Sequence, residues 1–387
     1  MKYLPLVWAA LRRRPVRTLL TVFSIVTAFF LFGALQGINV GINQAMDLAS
    51  ASHLVVMSRV SMNAPLPLAH VARIRAIKGV TDVAPVNALI GTWQSPTNPI
   101  VVVGTDIGAL FRINSDLKVD PKQIDAATRA RTGVIVGETT LKQMKWKLGD
   151  RIPVHAINMV KTDGSSDWVF DIVGTYTLSQ PEWATRIFAN FDYLNEARAQ
   201  GKNQSVEFYV GIADPSKSAA TSQAIDDSFA NSSDQTQTAN EKDFTESVLR
   251  QVGDINFLVN GIVGAVIFTL MFLTANTMSQ SVRERIPELA VLKTLGFTDS
   301  GVQWLVLVEA LVLGLVSAAI GVGLAALVLP RVTSSPALAA SGIGAMHVPH
   351  VVFAAALGVA VLLALVSGIP PATRARRLNI VAALSGR

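Results

Sequence analysis

The sequence predicts a membrane α-helical protein, with four transmembrane helices and an α+β extracytoplasmic domain inserted between the first helix and the other three. Half of the 387 residues are hydrophobic, 16% are charged and the mean hydropathy is +0.42, whereas about a quarter of an ordinary soluble domain is charged. The apolar residues gather toward the two ends. Between them, residues 43–254 carry 20 Lys and Arg against 23 Asp and Glu, and form a stretch long enough to bury its own core.

The first apolar run, Thr18 to Val40, is uncharged and long enough to cross a hydrocarbon layer of ~30 Å at ~1.5 Å per residue. It follows Arg12, Arg13, Arg14 and Arg17. The run is long for a cleaved leader and ends in no small-x-small site, and Pro15 and Val16 break a twin-arginine pattern, so it reads as a retained span. Phe257 to Met278, Trp304 to Leu329 and Val351 to Ile369 supply three more. The expected layout is an N-terminal segment 1–17, spans at 18–42, 255–278, 302–330 and 351–370, the outer domain 43–254, connections 279–301 and 331–350, and a tail 371–387.

The basic excess lies beside the spans. Lys2 and four arginines precede the first span, Arg283, Arg285 and Lys293 lie between the second and third, and Arg374, Arg376, Arg377 and Arg387 end the chain, but the third-to-fourth connection holds only Arg331. Lys and Arg concentrate on the cytoplasmic side of membrane proteins, which puts both termini and 279–301 in the cytoplasm and the large domain outside. The same distribution argues against nucleic-acid binding as the cause of the high pI. With no cysteine, disulfides and thiolate metal sites are excluded.

Within the domain, His53 to Met57, Ile100 to Val103, Val134 to Val136 and Val169 to Val173 read as strands. Leu68, Val71, Ile74 and Ile77 recur at helical spacing before Gly79, followed by an extended Val80 to Val86. A second helix is expected from Glu138 to Lys147, a β-rich insert over about 107–193, and a weakly amphipathic helix plus loop over Ser216 to Gln237 carrying Ile225 and Phe229. Asp243 to Asn256 is expected to run without a break into the second span.

The connection Ser281 to Gly296 is the most informative stretch. Ile286, Leu289, Leu292 and Leu295 recur every third residue, Pro287 suits a first helical turn and Gly296 a helix end. Two readings stand: an interfacial helix resting on lipid headgroups, or a docking helix whose Leu289 and Leu292 fill a partner's groove, with Arg283, Glu284, Arg285, Glu288 and Lys293 as rim pairs.

Glu309, near one end of the third span, either snorkels to interface water or forms a salt bridge to Arg283, Arg285 or Lys293. Gly33, Gly37 and Gly41 strip one stripe of the first span, either as ordinary membrane-helix glycines or as a packing face for the second span or a dimer mate. His53, His70, His155, His347 and His350 show no metal-ligand spacing; His347-x-x-His350 lacks a third ligand. No Gly-x-Ser-x-Gly elbow occurs, and catalysis has no support.

The run Arg283 to Phe297 (RERIPELAVLKTLGF), followed by Glu309, resembles the signature of FtsX/MacB-type ABC transporter permeases. Leu11 to Val22 is similar to that family's basic entry into its first span, Val134 to Glu138 through Leu148-Gly149-Asp150 to a recurrent outer-domain motif, and Pro371 to Leu384 to its C-terminal pattern, with Asn379 where a proline often stands. The resemblance implies a coupling helix, carrying Gly296 at its end, seated on a separate cytoplasmic ABC ATPase that binds ATP and Mg. It also implies a bacterial inner-membrane location and a second permease copy, identical or a paralogue. A periplasmic adaptor or outer-membrane channel would join an export system; the alternative is an FtsX-like regulator that moves a periplasmic hydrolase and transports nothing. No Walker A pattern is present, so the phosphate cradle is expected in another polypeptide.

Overall fold

A computed structural model describes residues 15–48, 53–61, 63–179, 184–244, 255–335, 338 and 344–376. They divide into two compact units, Met1–Ile42 with Gly253–Pro330 and Met346–Arg387, and Asn43–Val252 with Arg331–Ala345. The chain begins with helix α1 (Pro15–Leu48), strands β1 (His53–Ser58) and β2 (Leu66–Pro67), helix α2 (His70–Arg75), and strands β3 (Val80–Trp93) and β4 (Ser95–Thr105). Next come α3 (Ile107–Ile113), β5 (Lys118–Val119), α4 (Pro121–Arg129), β6 (Gly133–Gly137), α5 (Glu138–Met144), β7 (Arg151–Ala156) and β8 (Asp167–Thr177). The domain ends with β9 (Ile187–Asn190), α6 (Phe191–Ala197), β10 (Gln204–Ser205), β11 (Glu207–Ile212), α7 (Ser218–Phe229) and β12 (Thr236–Asn240). Helices α8 (Ile255–Glu284), α9 (Ile286–Thr294), α10 (Asp299–Thr333) and α11 (His350–Arg376) follow.

The α+β unit is built on one sheet ordered β12-β1-β11-β3-β4-β9-β6-β8-β5, with β7 pairing β3 and β8. Alternation of side chains dictates its layers. Trp168, Phe170 and Ile172 on β8 and Ile152 and Val154 on β7 point into one cluster, and Phe111 of α3, Tyr176 and Phe188 close a second. Leu54, Val56, Phe208 and Val210 meet Ile225 and Phe229 of α7 in a third. The strands of 107–193 belong to this same sheet, because β9 pairs in parallel with β4 and antiparallel with β6; the expected insert is continuous with the rest.

Other expectations are adjusted in detail. The helix read over Leu68 to Ile77 is confined to α2, since the Leu68 N–H donates to Asn203 O beside the small β2–β10 pair. The helix from Glu138 stops at Met144 because Lys145 is left-handed (φ 57°) and Trp146 turns into the core. The loop expected after α7 contains β12, paired with β1; its Thr and Gln residues gave no apolar alternation to read. The long helix expected from Asp243 falls mostly outside the described residues.

In the other unit, α1, α8, α10 and α11 are long and apolar enough to cross a membrane. A Cβ on Gly33 would stand 3.0 Å from Ala325 Cβ, on Gly37 2.5 Å from Leu329 Cδ2, and on Gly41 2.7 Å from Met346 Cγ. The glycine stripe of α1 therefore lies against α10 and the segment before α11, correcting the expectation of the second span. Ala318, Gly321 and Ala325 give α10 the matching small surface, so backbones approach: a Cβ on Gly321 would lie 2.6 Å from Val26 O. Gly261 and Gly264 of α8 have no atom within 4 Å of the position a Cβ would take.

Gly321→Leu is expected to destabilise the bundle by about 1–3 kcal/mol through overpacking, and Gly264→Ala to leave it unchanged, as read by thermal unfolding in detergent. Burial raises the Glu207 carboxyl to about 7, against the lowering effect of Arg186. A carboxyl raised on folding binds its proton more tightly in the native state, so its contribution to stability falls as pH rises from about 4.5 to about 7. Glu207→Gln is expected to flatten that part of the unfolding-versus-pH curve.

Candidate coupling site between the second and third spans

Helix α8 ends at Glu284 because Pro287 cannot donate the next hydrogen bond and its ring crowds the preceding turn. Arg285 takes a non-helical conformation (φ −104°, ψ 9°), and α9 starts with Pro287 in its first turn. At the other end Gly296 is left-handed (φ +97°), with Phe297 N–H donating to Leu292 O and Gly296 N–H to Lys293 O. That is the glycine stop that satisfies the last carbonyls of a helix. The break and the stop make α9 a short rigid rod between two longer ones.

Charges fasten both ends of the rod. Arg285 Nη1 donates to Glu309 Oε2 at 2.6 Å, with Glu309 buried on α10, and Arg285 Nε lies 3.6 Å from Glu288 Oε2. Of the three cations that could have met Glu309, the structure pairs it with Arg285. Lys293, whose side chain is 5% exposed, donates from Nζ to Arg376 O at 2.7 Å and meets Asp299 Oδ1 at 2.9 Å. Lys293 therefore joins α9 to the end of α11 and the start of α10, where Asp299 is the first helical residue.

The apolar residues divide differently from the expectation. Leu289 is buried with Met278, Val282, Val302 and Leu305 inside its own helix bundle, and Leu292 is half-buried beside Phe297. A three-residue spacing drifts around a 3.6-residue helix, so this series cannot share one face. The outward face instead carries Val291 (46% exposed) and Leu295 (73%), with Arg283, Glu284, Pro287, Glu288 and Gly296 also exposed. Leu289 as a filler of a partner's groove is thereby corrected to an anchor, and Val291 is the residue the sequence reading missed.

Inside the bundle, a cavity of about 40 Å³ is lined mainly by apolar residues such as Ile25, Phe29, Leu270 and Leu363, with Glu309, Ser281, Thr277 and Thr274 as its polar groups. Among the described residues no group of three or more His, Cys, Asp or Glu could hold a metal ion.

Two family models match this chain: the FtsX-like permease C-terminal model over residues 260–380 and the MacB-like periplasmic core domain over residues 18–228. The chain belongs to the FtsX/MacB-type ABC permease family. The FtsX-like match contains α9 and Glu309, the MacB-like match most of the α+β unit, and an ABC-type permease implies a partner ATPase. This FtsX/MacB-type permease is thus a multi-pass membrane protein with an extracytoplasmic domain.

Solved structures similar to it include the periplasmic region of MacB from Actinobacillus actinomycetemcomitans (11% identity, 54% of this chain and 97% of that one, TM-score 0.39). The extracellular domain of the noncanonic ABC-type transporter YknZ from Gram-positive bacteria matches at 12% identity over 49% of this chain and 100% of that one, TM-score 0.34. A domain of a putative permease from Porphyromonas gingivalis matches at 10% identity over 49% and 90%, TM-score 0.32. No curated protein matches.

Breaking a buried ion pair on one side strands a charge, at a cost of about 3–5 kcal/mol, whereas replacing both partners with apolar groups is often neutral. Glu309→Ala is therefore expected to lower the unfolding midpoint of the permease sharply, and Arg285→Met/Glu309→Leu to restore most of it, measured by thermal unfolding in the same detergent.

Proposed function

We propose that this permease takes up the motion of a separate ATPase on the outward face of α9 and passes it to its extracytoplasmic domain, to export or extract a substrate such as a drug, peptide, lipid or lipoprotein. The fastening of α9 at both ends supports this reading most directly. A rod tied by Arg285 to α10 and by Lys293 to both α10 and α11 cannot tilt without carrying those helices with it. Val291 and Leu295 present an apolar strip bordered by Arg283, Glu284 and Glu288, suited to a protein groove with a polar rim.

Helix α10 continues to Thr333, and the residues from Arg331 to Ala345 belong to the α+β unit, where Gln143 Nε2 of α5 donates to Ser334 O at 3.1 Å. Motion of α10 thus has a covalent route toward the domain. In this scheme the chain is not a catalyst; ATP and Mg belong to the ATPase, and two permeases, identical or paralogous, pair in the bacterial inner membrane, with an adaptor or outer-membrane channel completing an export path. Both termini and α9 face the cytoplasm, as the positions of Arg283, Arg285 and Lys293 favour.

Val291→Asp/Leu295→Asp is expected to leave folding intact and to lower permease-dependent ATPase turnover by about tenfold or more, since both side chains lose an apolar contact. Unchanged turnover and unchanged co-purification of the ATPase would remove the proposal. The cysteine-free chain allows Thr294→Cys to be labelled from one side at a time; labelling from outside intact cells would overturn the orientation.

A further inference from the structure

The α+β unit carries a basic ledge that the coupling scheme leaves unused. Residues 138–151 hold Lys142, Lys145, Lys147 and Arg151 against Glu138 and Asp150, inside a domain whose acids outnumber its bases. Lys142 Nζ meets Glu138 Oε2 at 2.9 Å, and Arg151 Nε lies 3.8 Å from Asp171 Oδ1. Asp150 Oδ2 accepts from Lys147 N–H at 2.7 Å. The side chains of Lys145 and Lys147 are exposed and form no ion pair among the described residues; Leu148 beside them is 55% exposed. Lys145 is left-handed (φ 57°), and the buried Trp146 packs edge-on against Trp93, which leaves its two lysine neighbours outside.

The ledge is tied to the end of a membrane span. Gln143 Nε2, two residues before Lys145, donates to Ser334 O at 3.1 Å, and Ser334 is the residue that follows α10. Leu329 ends the apolar run of α10 before Pro330 and Arg331; at ~1.5 Å per residue, Ser334 stands about 7 Å beyond it. The polar layer on each side of a ~30 Å hydrocarbon core is about 5–7 Å deep. Ser334 therefore lies at headgroup level. With successive Cα atoms ~3.8 Å apart, those of Lys145 and Lys147 are within about 8 and 15 Å of Gln143. Arg331 and Val332 are exposed on the last turn of α10 at the same level.

We propose that Lys145 and Lys147 bind the phosphates of anionic phospholipids in the outer leaflet, with Leu148 entering the interface beside them. Cations that flank an exposed leucine suit a layer that is anionic at its surface and apolar below. An acidic protein partner would have to reach a level that the bilayer already occupies. The contact depends on α10 as a span and on the tie from Gln143 to Ser334, not on what α9 receives, so it holds whether the machine exports or regulates.

The test is fluorescence quenching of the full-length permease in phosphatidylcholine nanodiscs. The chain has no cysteine, so Leu148→Cys takes a single apolar fluorophore. The quencher is a nitroxide at the top of one acyl chain of either phosphatidylglycerol or phosphatidylcholine. Both lipids are expected to quench, the anionic one in preference, by about fivefold for each lysine near the surface. Lys145→Gln/Lys147→Gln is expected to make the two lipids equal, while Lys118→Gln/Lys122→Gln, which removes the same charge from exposed positions on β5 and α4, keeps the preference. Equal quenching by the two lipids in the parent overturns the proposal, as does a preference that Lys145→Gln/Lys147→Gln leaves unchanged or a fluorophore that neither lipid quenches.

Discussion

A carboxylate in an apolar helix bundle needs a counter-charge, and Glu309 obtains one from Arg285 at the single residue separating α8 from α9. The rest of the segment between the second and third spans follows from that need. Arg285 meets Glu309 from the residue at which Pro287 ends the α8 hydrogen-bond ladder. Once turned, the chain lays Leu289 onto Val302 and Leu305 and brings Lys293 to Asp299 and Arg376.

The four spans and the break at 285–287 were readable because apolar length, proline and glycine act locally. Which face of α9 turns inward was not, since Leu289, Leu292 and Leu295 look equivalent in sequence and only packing against α10 distinguishes them. Likewise Gly33, Gly37 and Gly41 declared a close contact without naming its partner. That partner is Ala325, Leu329 and Met346, about 300 residues further along the chain.

In the domain, strands with strong apolar alternation such as β7 and β8 were legible, and β12 was not. Its Thr236, Gln237 and Thr238 take their place through pairing with β1 and through Asp226, whose carboxylate accepts from the Thr236 and Thr238 hydroxyls and the Thr238 N–H. Tertiary hydrogen bonds, not local propensity, make this segment a strand.

The first and last strands of the domain, β1 and β12, lie side by side, Leu54 opposite Asn240. A module whose ends meet can be cut out and replaced by another without rethreading what flanks it. Selection can thus exchange the external head while the helices that carry it stay as they are, and an engineer who joins a foreign module at those two neighbouring strands inherits the same freedom.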